Sequence, residues 1–280
     1  MRRQRPLAAA VLIAFLPALA ACGFASGSPV GSSVGSGDAA AASTGGGPAA
    51  SAEGPADGLP RRSLAGKVIV IDPGHNGGNA THASEVNKLV NVITERKACD
   101  TTGTETTRGY AEHAFTWDVS NRVAKILKAQ GAKVVLTRSS DTGVGPCVTE
   151  RAAIGNRNKA DAALSVHADG APKGDRGFHI IEPKAVKGYN DKIVPDSHKL
   201  GLALRDAYRE GTGIPYSNYR GKKAIDARDD LGGLNLSTRP KVFIECGNMQ
   251  DPGDAAKLSD PKFRQRIAEA LADGLTDYLT

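Results

Sequence analysis

The chain has 280 residues, 40% apolar and 24% charged, with 36 Lys and Arg against 30 Asp and Glu for a formal charge of +6 at pH 7. A length of that order carries one domain with a sizeable core, and the basic excess suits an anionic polymer such as cell-wall glycan. No recognised binding motif and no interleaved aromatic and basic platform occurs, so nucleic acid is excluded as a partner.

The first segment, residues 1–21, opens with Arg2, Arg3 and Arg5 and continues as the apolar run Leu7–Ala21. That run is shorter than the roughly 20 residues needed to span a bilayer, so it reads as an export signal. Its end, Leu19-Ala20-Ala21-Cys22, resembles the lipobox of bacterial lipoproteins. The resemblance implies acylation at Cys22 and contact with the membrane through that anchor alone; ordinary signal cleavage near Ala20 or Ala21 is the alternative. From Gly23 to Pro60 the chain is mostly Gly, Ser, Ala and Pro, with only Asp38, Glu53 and Asp57 charged. Such a composition cannot bury enough apolar surface to offset chain entropy, so residues 22–64 are expected to form a flexible linker. The linker acids cancel the leader arginines, and the formal +6 falls on the chain from Arg61 onward.

Residues 65–280 alternate between two periodicities. The β-branched run at Val68–Ile71, stopped by Pro73-Gly74, predicts a buried strand over 67–72, followed by a loop rich in Asn, Thr and Gly to about residue 110. A loop of that length in a compact domain is usually functional or mobile. A helix is predicted from about 111 to 130, ending at Gly131. Strand 133–137, helix 148–159, strands 162–167 and 176–182, and a helix from about 195 to 210 follow. Strand 241–246 and a terminal helix marked by Phe263, Ile267, Leu271, Leu275 and Tyr278 complete the series. The alternation predicts a single α/β domain, a mostly parallel sheet flanked by helices on both faces. Cys99 and Cys147 both fall in loops near the expected open end of the sheet, where export favours their oxidation to a disulfide; Cys246 sits inside an apolar strand as a small packed thiol.

Four polar residues stand where these elements begin or end. His75 closes the first strand, His167 ends Ala162–Val166, and Glu245 lies near the end of Lys241–Gly247. In open α/β sheets such strand ends converge on one crevice. The fourth is Glu105 or Glu112. Phe115, Val119, Val123 and Ile126 form an apolar stripe that Glu112 extends toward the sheet, whereas no periodicity orients Glu105. Two imidazoles and one carboxylate make a three-ligand zinc site with an open position, and a second carboxylate beside it implies hydrolysis. A carboxylate inside an apolar strand, as at Glu245, is costly unless paired or near a cation.

Ile71-Asp72-Pro73-Gly74-His75, Ser165-Val166-His167-Ala168 and Val242-Phe243-Ile244-Glu245-Cys246-Gly247-Asn248 together resemble the signature blocks of zinc-dependent N-acetylmuramoyl-L-alanine amidases over roughly residues 66–280. The resemblance implies that His75, Glu112 and His167 hold Zn2+, that Glu245 is catalytic, and that peptidoglycan is the substrate, cut between the muramic acid lactyl group and L-alanine. A zinc peptidase acting within the stem peptide and an inactive wall-binding lipoprotein are the rival readings. An exported monomer, lipid-anchored on the outer membrane face and working in the wall, is expected. Asp72 is placed either as an orienter of a ligand imidazole or as a turn residue before Pro73. His179 is read as a half-buried strand residue that could line the cleft, His113 as facing away from Glu112, and His82 and His198 as solvent-facing; Arg220–Pro240 is either a border of the substrate groove, as in the resembled family, or a surface loop followed by a packing turn. No capped helix is present to plug the site, so an open cleft is expected.

Overall fold

Each strand of the central sheet separates two kinds of side chain. Residues at alternate positions share a face, so Ile69, Ile71, Leu164, Val166, Val242 and Ile244 all join one apolar core. Asp72, Ser165, His167, Phe243 and Glu245 occupy the alternate positions, and the strand register aligns Asp72 with Ser165, Ser165 with Phe243, and His167 with Glu245. One face is therefore oily and the other carries the chemistry.

The computed structural model describes residues 62–280. Signal, lipobox and most of the linker lie outside them. Leu64, expected as the last linker residue, is fully buried in the main core, and its amide donates to the Gln130 carbonyl at 2.8 Å.

In chain order the elements are β1 (Val68–Pro73), α1 (Ala83–Val86), β2 (Leu89–Asn91), β3 (Arg96–Ala98), α2 (Glu112–Ala129), β4 (Lys133–Leu136), α3 (Val148–Arg157), β5 (Ala162–Asp169) and β6 (His179–Pro183). They continue with α4 (Val194–Thr212), β7 (Ile225–Arg228), α5 (Gly232–Asn235), β8 (Lys241–Asn248), α6 (Pro252–Ser259) and α7 (Pro261–Leu279). The main sheet runs β4-β1-β5-β8-β6-β7. All its pairings are parallel except β6 against β8. Phe115, Val119, Val123 and Leu127 of α2, Leu200, Leu204 and Tyr208 of α4, and Ile267, Leu271 and Leu275 of α7 cover the apolar face. Ile154 of α3 packs with Val70 and Ala163 on the other face, so the expected helices on both faces are present.

Several elements differ from expectation. The segment up to residue 110 is not all loop, since β2 and β3 form an antiparallel hairpin. As expected, Cys99 and Cys147 are joined as a disulfide, which fastens the end of that hairpin to the start of α3. β6 begins at His179 rather than 176 because Gly177 has φ +92 and lies against the Pro215 carbonyl, where a Cβ would collide. β7, α5 and α6 were not foreseen.

The polar face is held by a buried ion cluster. Asp72, 3% exposed, accepts from Thr137, Ser165 and Arg151, and from Lys241 Nζ at 3.3 Å. Burial alone would raise its pKa, but Lys241 and Arg151 together hold it well below the usual carboxylate range. A depressed carboxylate contributes stability above its unfolded pKa that is lost as pH falls through the folded one. Asp72→Asn should therefore cost about 3–5 kcal/mol near neutral pH, since it leaves two buried cations short of their partner. Urea unfolding should also show a shallower loss of stability below about pH 4 than in the parent chain; parallel curves with equal midpoints would sink this account.

Candidate active site

The site forms where β1, β5 and β8 end. His75 follows β1 with φ +58, a left-handed conformation rare outside glycine and costly enough to mark a functional constraint. Its Nδ1 donates to the Thr101 carbonyl at 2.9 Å, which turns Nε2 toward Glu112 Oε2 at 3.1 Å. His167 Nδ1 lies 3.0 Å from Glu112 Oε1. Glu112 opens α2 and is 4% exposed; its carboxylate also accepts from the amides of Ala168 at 3.1 Å and Thr104 at 3.0 Å. One ligand-competent atom from each of His75, Glu112 and His167 falls within 4.8 Å of the others.

Glycine makes this closeness possible at two positions. A Cβ on Gly74 would strike the His167 ring, and one on Gly103, φ +77, would come to 2.7 Å of Glu112 Oε2 and 2.9 Å of His75 Cδ2. The His75 and His167 rings meet edge to face at 4.9 Å, and Phe243 stacks on His167 at 5.3 Å.

Electrostatics divides the two carboxylates. Burial opposes charge on Glu112, yet His75 and His167 outweigh it and keep this group ionised. For His75 burial is likewise overcome by Glu112 and then Asp100, which lift its pKa well above the usual imidazole value. Glu245 moves the other way: burial first, then Glu112 and Asp169, push its pKa up. Its Oε2 is shielded from solvent and has no hydrogen-bond partner. Two acids pushed apart in this manner are suited to different tasks.

The donor set fits a zinc ion: two imidazole nitrogens and one carboxylate, with the spare nitrogen of His75 fixed by a carbonyl. The orphaned oxygen of Glu245 beside them is a proton acceptor without a partner. A cleft of about 760 Å³ runs from these residues along the polar face, lined by Phe243, Ile181, Val92, Leu231 and Arg228 among others. Part of the foreseen border segment thus lines it.

The structure brings His75, Glu112, His167 and Glu245 together. Glu105 is exposed, and only its backbone takes part nearby, the carbonyl accepting from Gln250 at 2.6 Å. His113 turns away to Asp141 at 2.8 Å, His198 to Glu182 at 2.8 Å, and His82 bonds the Gly78 carbonyl. His179 is 2% exposed, more buried than a half-covered strand residue, and burial lowers its pKa to about 4. Asp72 touches neither imidazole. The acid facing one is Asp100, whose Oδ1 is 3.5 Å from His75 Nδ1, and Arg151 links the two acids. Asp100 carried no sequence signal, but Arg151, on the buried side of α3 with Ala152 and Gly155, could have been noticed as a charge out of place.

Fold and site define an α/β hydrolytic domain with a metal-competent centre at its strand ends. Residues 69–277 match the family model described as N-acetylmuramoyl-L-alanine amidase, and the chain belongs to that family. It is 38% identical over 217 residues to N-acetylmuramoyl-L-alanine amidase Rv3717 of Mycobacterium tuberculosis, covering 78% of this chain and 88% of the relative. The crystal structure of the amidase Ami1 from Mycobacterium smegmatis superposes with a TM-score of 0.73 at 37% identity, over 78% of this chain and 98% of that one. The apo form of Ami1 from Mycobacterium abscessus gives 0.73 at 36% identity, over 78% and 100%.

Glu112 and Asp100 raise the His75 pKa above the ordinary imidazole value against the effect of burial, and both ring nitrogens face oxygen partners, so a proton and a metal would compete for this ring. A metal ion taken up there would have to displace a proton from it. Titration calorimetry in buffers of different ionisation enthalpy should register its release, and affinity should rise with pH until the His75 pKa is passed; a pH-independent affinity between 6 and 8 would contradict the assignment.

Proposed function

We propose that the chain hydrolyses the amide between the lactyl group of N-acetylmuramic acid and L-alanine in peptidoglycan, with His75, Glu112 and His167 as zinc ligands and Glu245 as the catalytic acid-base. The observation that carries this reading is the unpaired, proton-seeking Glu245 carboxyl held next to a compact two-imidazole, one-carboxylate group in an amidase-family domain. Zinc, when bound, supplies Lewis-acid polarisation of the carbonyl and lowers the pKa of water to near neutrality.

The protein's own groups do the rest. Glu245 Oε2 takes the proton of the attacking water and returns it to the leaving amine of L-alanine, a task suited to a carboxyl whose pKa has been lifted toward the working range. Phe243 and Ile181 give the cleft an apolar floor along which the peptide can lie, which limits water around the reacting carbonyl. Thr101 and Glu112 fix the imidazoles, so little reorganisation accompanies the reaction.

The same proposal covers the rest of the chain. Residues 1–21 act as a lipoprotein-type signal, Cys22 carries the lipid, and residues 22–64 tether the catalytic domain of 65–280 so that a monomer anchored on the outer membrane face reaches into the wall. No helix among the described residues is long and apolar enough to cross a membrane.

Glu245→Gln should retain zinc and lower kcat by about 10²–10⁴, the usual worth of a positioned acid-base; loss of zinc together with activity would make Glu245 a ligand instead. Zinc-loaded protein incubated with muramyl dipeptide should release lactyl-muramic acid and an intact peptide. A cut within the peptide means peptidase, and binding without product means a wall-binding protein. Growth on a radioactive fatty acid should label the chain and not its Cys22→Ser variant; an unlabelled parent chain removes the anchor.

A further inference from the structure

The disulfide sits at the back of the ligand His75, between the two segments that fix it. Cys99 is followed directly by Asp100 and Thr101. Thr101 offers its carbonyl to His75 Nδ1 at 2.9 Å and to Asn79 at 2.7 Å, and Asp100 Oδ1 stands 3.5 Å from the same ring nitrogen. Cys147 caps α3, whose first amide, Val148 N, donates to the Cys99 carbonyl at 2.8 Å. One turn into that helix Arg151 donates to the His75 carbonyl at 3.1 Å, to Asp100 Oδ2 at 3.1 Å and to the Pro73 carbonyl at 2.7 Å. The covalent bond thus joins the loop that orients the imidazole to the helix that holds the backbone of the same residue.

We propose that Asp100 and Arg151 are positioning residues for His75 and that the Cys99–Cys147 bond keeps them in register, so that metal occupancy and the redox state of this disulfide are thermodynamically linked. The inference rests on the ligand assignment above. Groups behind a ligating histidine are worth about 10–100-fold in metal affinity. Coupling between two sites is reciprocal, so whatever affinity reduction removes, zinc must return as added resistance to reduction. In the reductive step two glutathione thiols give up two electrons and join as their own disulfide, while their two protons pass to Cys99 and Cys147 as the S–S bond between these breaks. Cys147 is the less buried residue of the pair, the side from which a thiolate would approach, whereas Cys99 is 4% exposed.

The full chain is equilibrated in glutathione redox buffers with and without zinc, and the state of Cys99 and Cys147 is read by alkylation and mass spectrometry. Zinc should lower the midpoint potential of the pair by about 30–60 mV, the equivalent of a 10–100-fold change in affinity for a two-electron couple. An unchanged midpoint overturns the proposal. So does a rise, because it would mean that zinc binds the released thiols.

By chelator competition, the Cys99→Ser/Cys147→Ser chain should bind zinc about 10–100-fold more weakly. Asp100→Ala should weaken it similarly in the oxidised chain, and the triple variant should lose less than the product of the two effects. Strict additivity would rule out a route through Asp100, as would losses that follow thermal stability alone. Should the serine pair fail to fold, the midpoint measurement on the parent chain decides. Failure of the oxidised parent to bind zinc at all would instead overturn the ligand assignment.

Discussion

Arg151 is the residue on which sheet and site both depend. It is 4% exposed, and its guanidinium reaches inward to Asp72 at the centre of the polar face and outward to Asp100 and the His75 carbonyl. A charge so deeply placed is tolerable only when nearly every donor is used; five hydrogen bonds from it reach Asp72, Asp100 and three backbone carbonyls. The requirement works in both directions. The strands must end where they do for Arg151 to be satisfied, and because it is satisfied, the turn after β1 is locked in its unfavourable left-handed form at His75.

Much of the site was legible in the sequence because its members interrupt regular patterns. His75, His167 and Glu245 each stand at or near the end of an apolar strand, and Glu112 continues an apolar helical stripe with a charge. The same logic, pressed further, would have isolated Arg151. Asp100 could not be read in this way, because its orientation is set by a hairpin whose turn carries no glycine signal: Ile93 takes φ +77 there, supported by the Asn91 side chain. Strand β7, Ile-Asp-Ala-Arg, offers a single large apolar side chain and depends on pairing with β6. For α6 the sequence does carry a start signal, since Asp251 caps the helix ahead of Pro252.

The parallel order of β4, β1, β5 and β8 explains why residues separated by up to 170 positions meet, since every strand end on that side opens into one crevice. β6 enters antiparallel, with His179 opposite Glu245, and this places beside that carboxyl an imidazole whose charged form is disfavoured by burial. The hairpin wall is fixed to the segment after β7 by Lys97 to Asp230, Thr94 to the Asp229 carbonyl and Asn235 to the Val92 carbonyl. The cleft is consequently a braced channel whose two sides share hydrogen bonds.

Cys246 sits one residue from Glu245, fully buried and unpaired, and burial pushes its thiol well above the ordinary range. Exchange of sulfur partners requires a thiolate that can reach its target, and this one is neither ionised nor accessible once β8 has joined the sheet. Among the described residues the third sulfur is therefore withdrawn by the sheet itself from exchange with the Cys99–Cys147 pair in the folded domain.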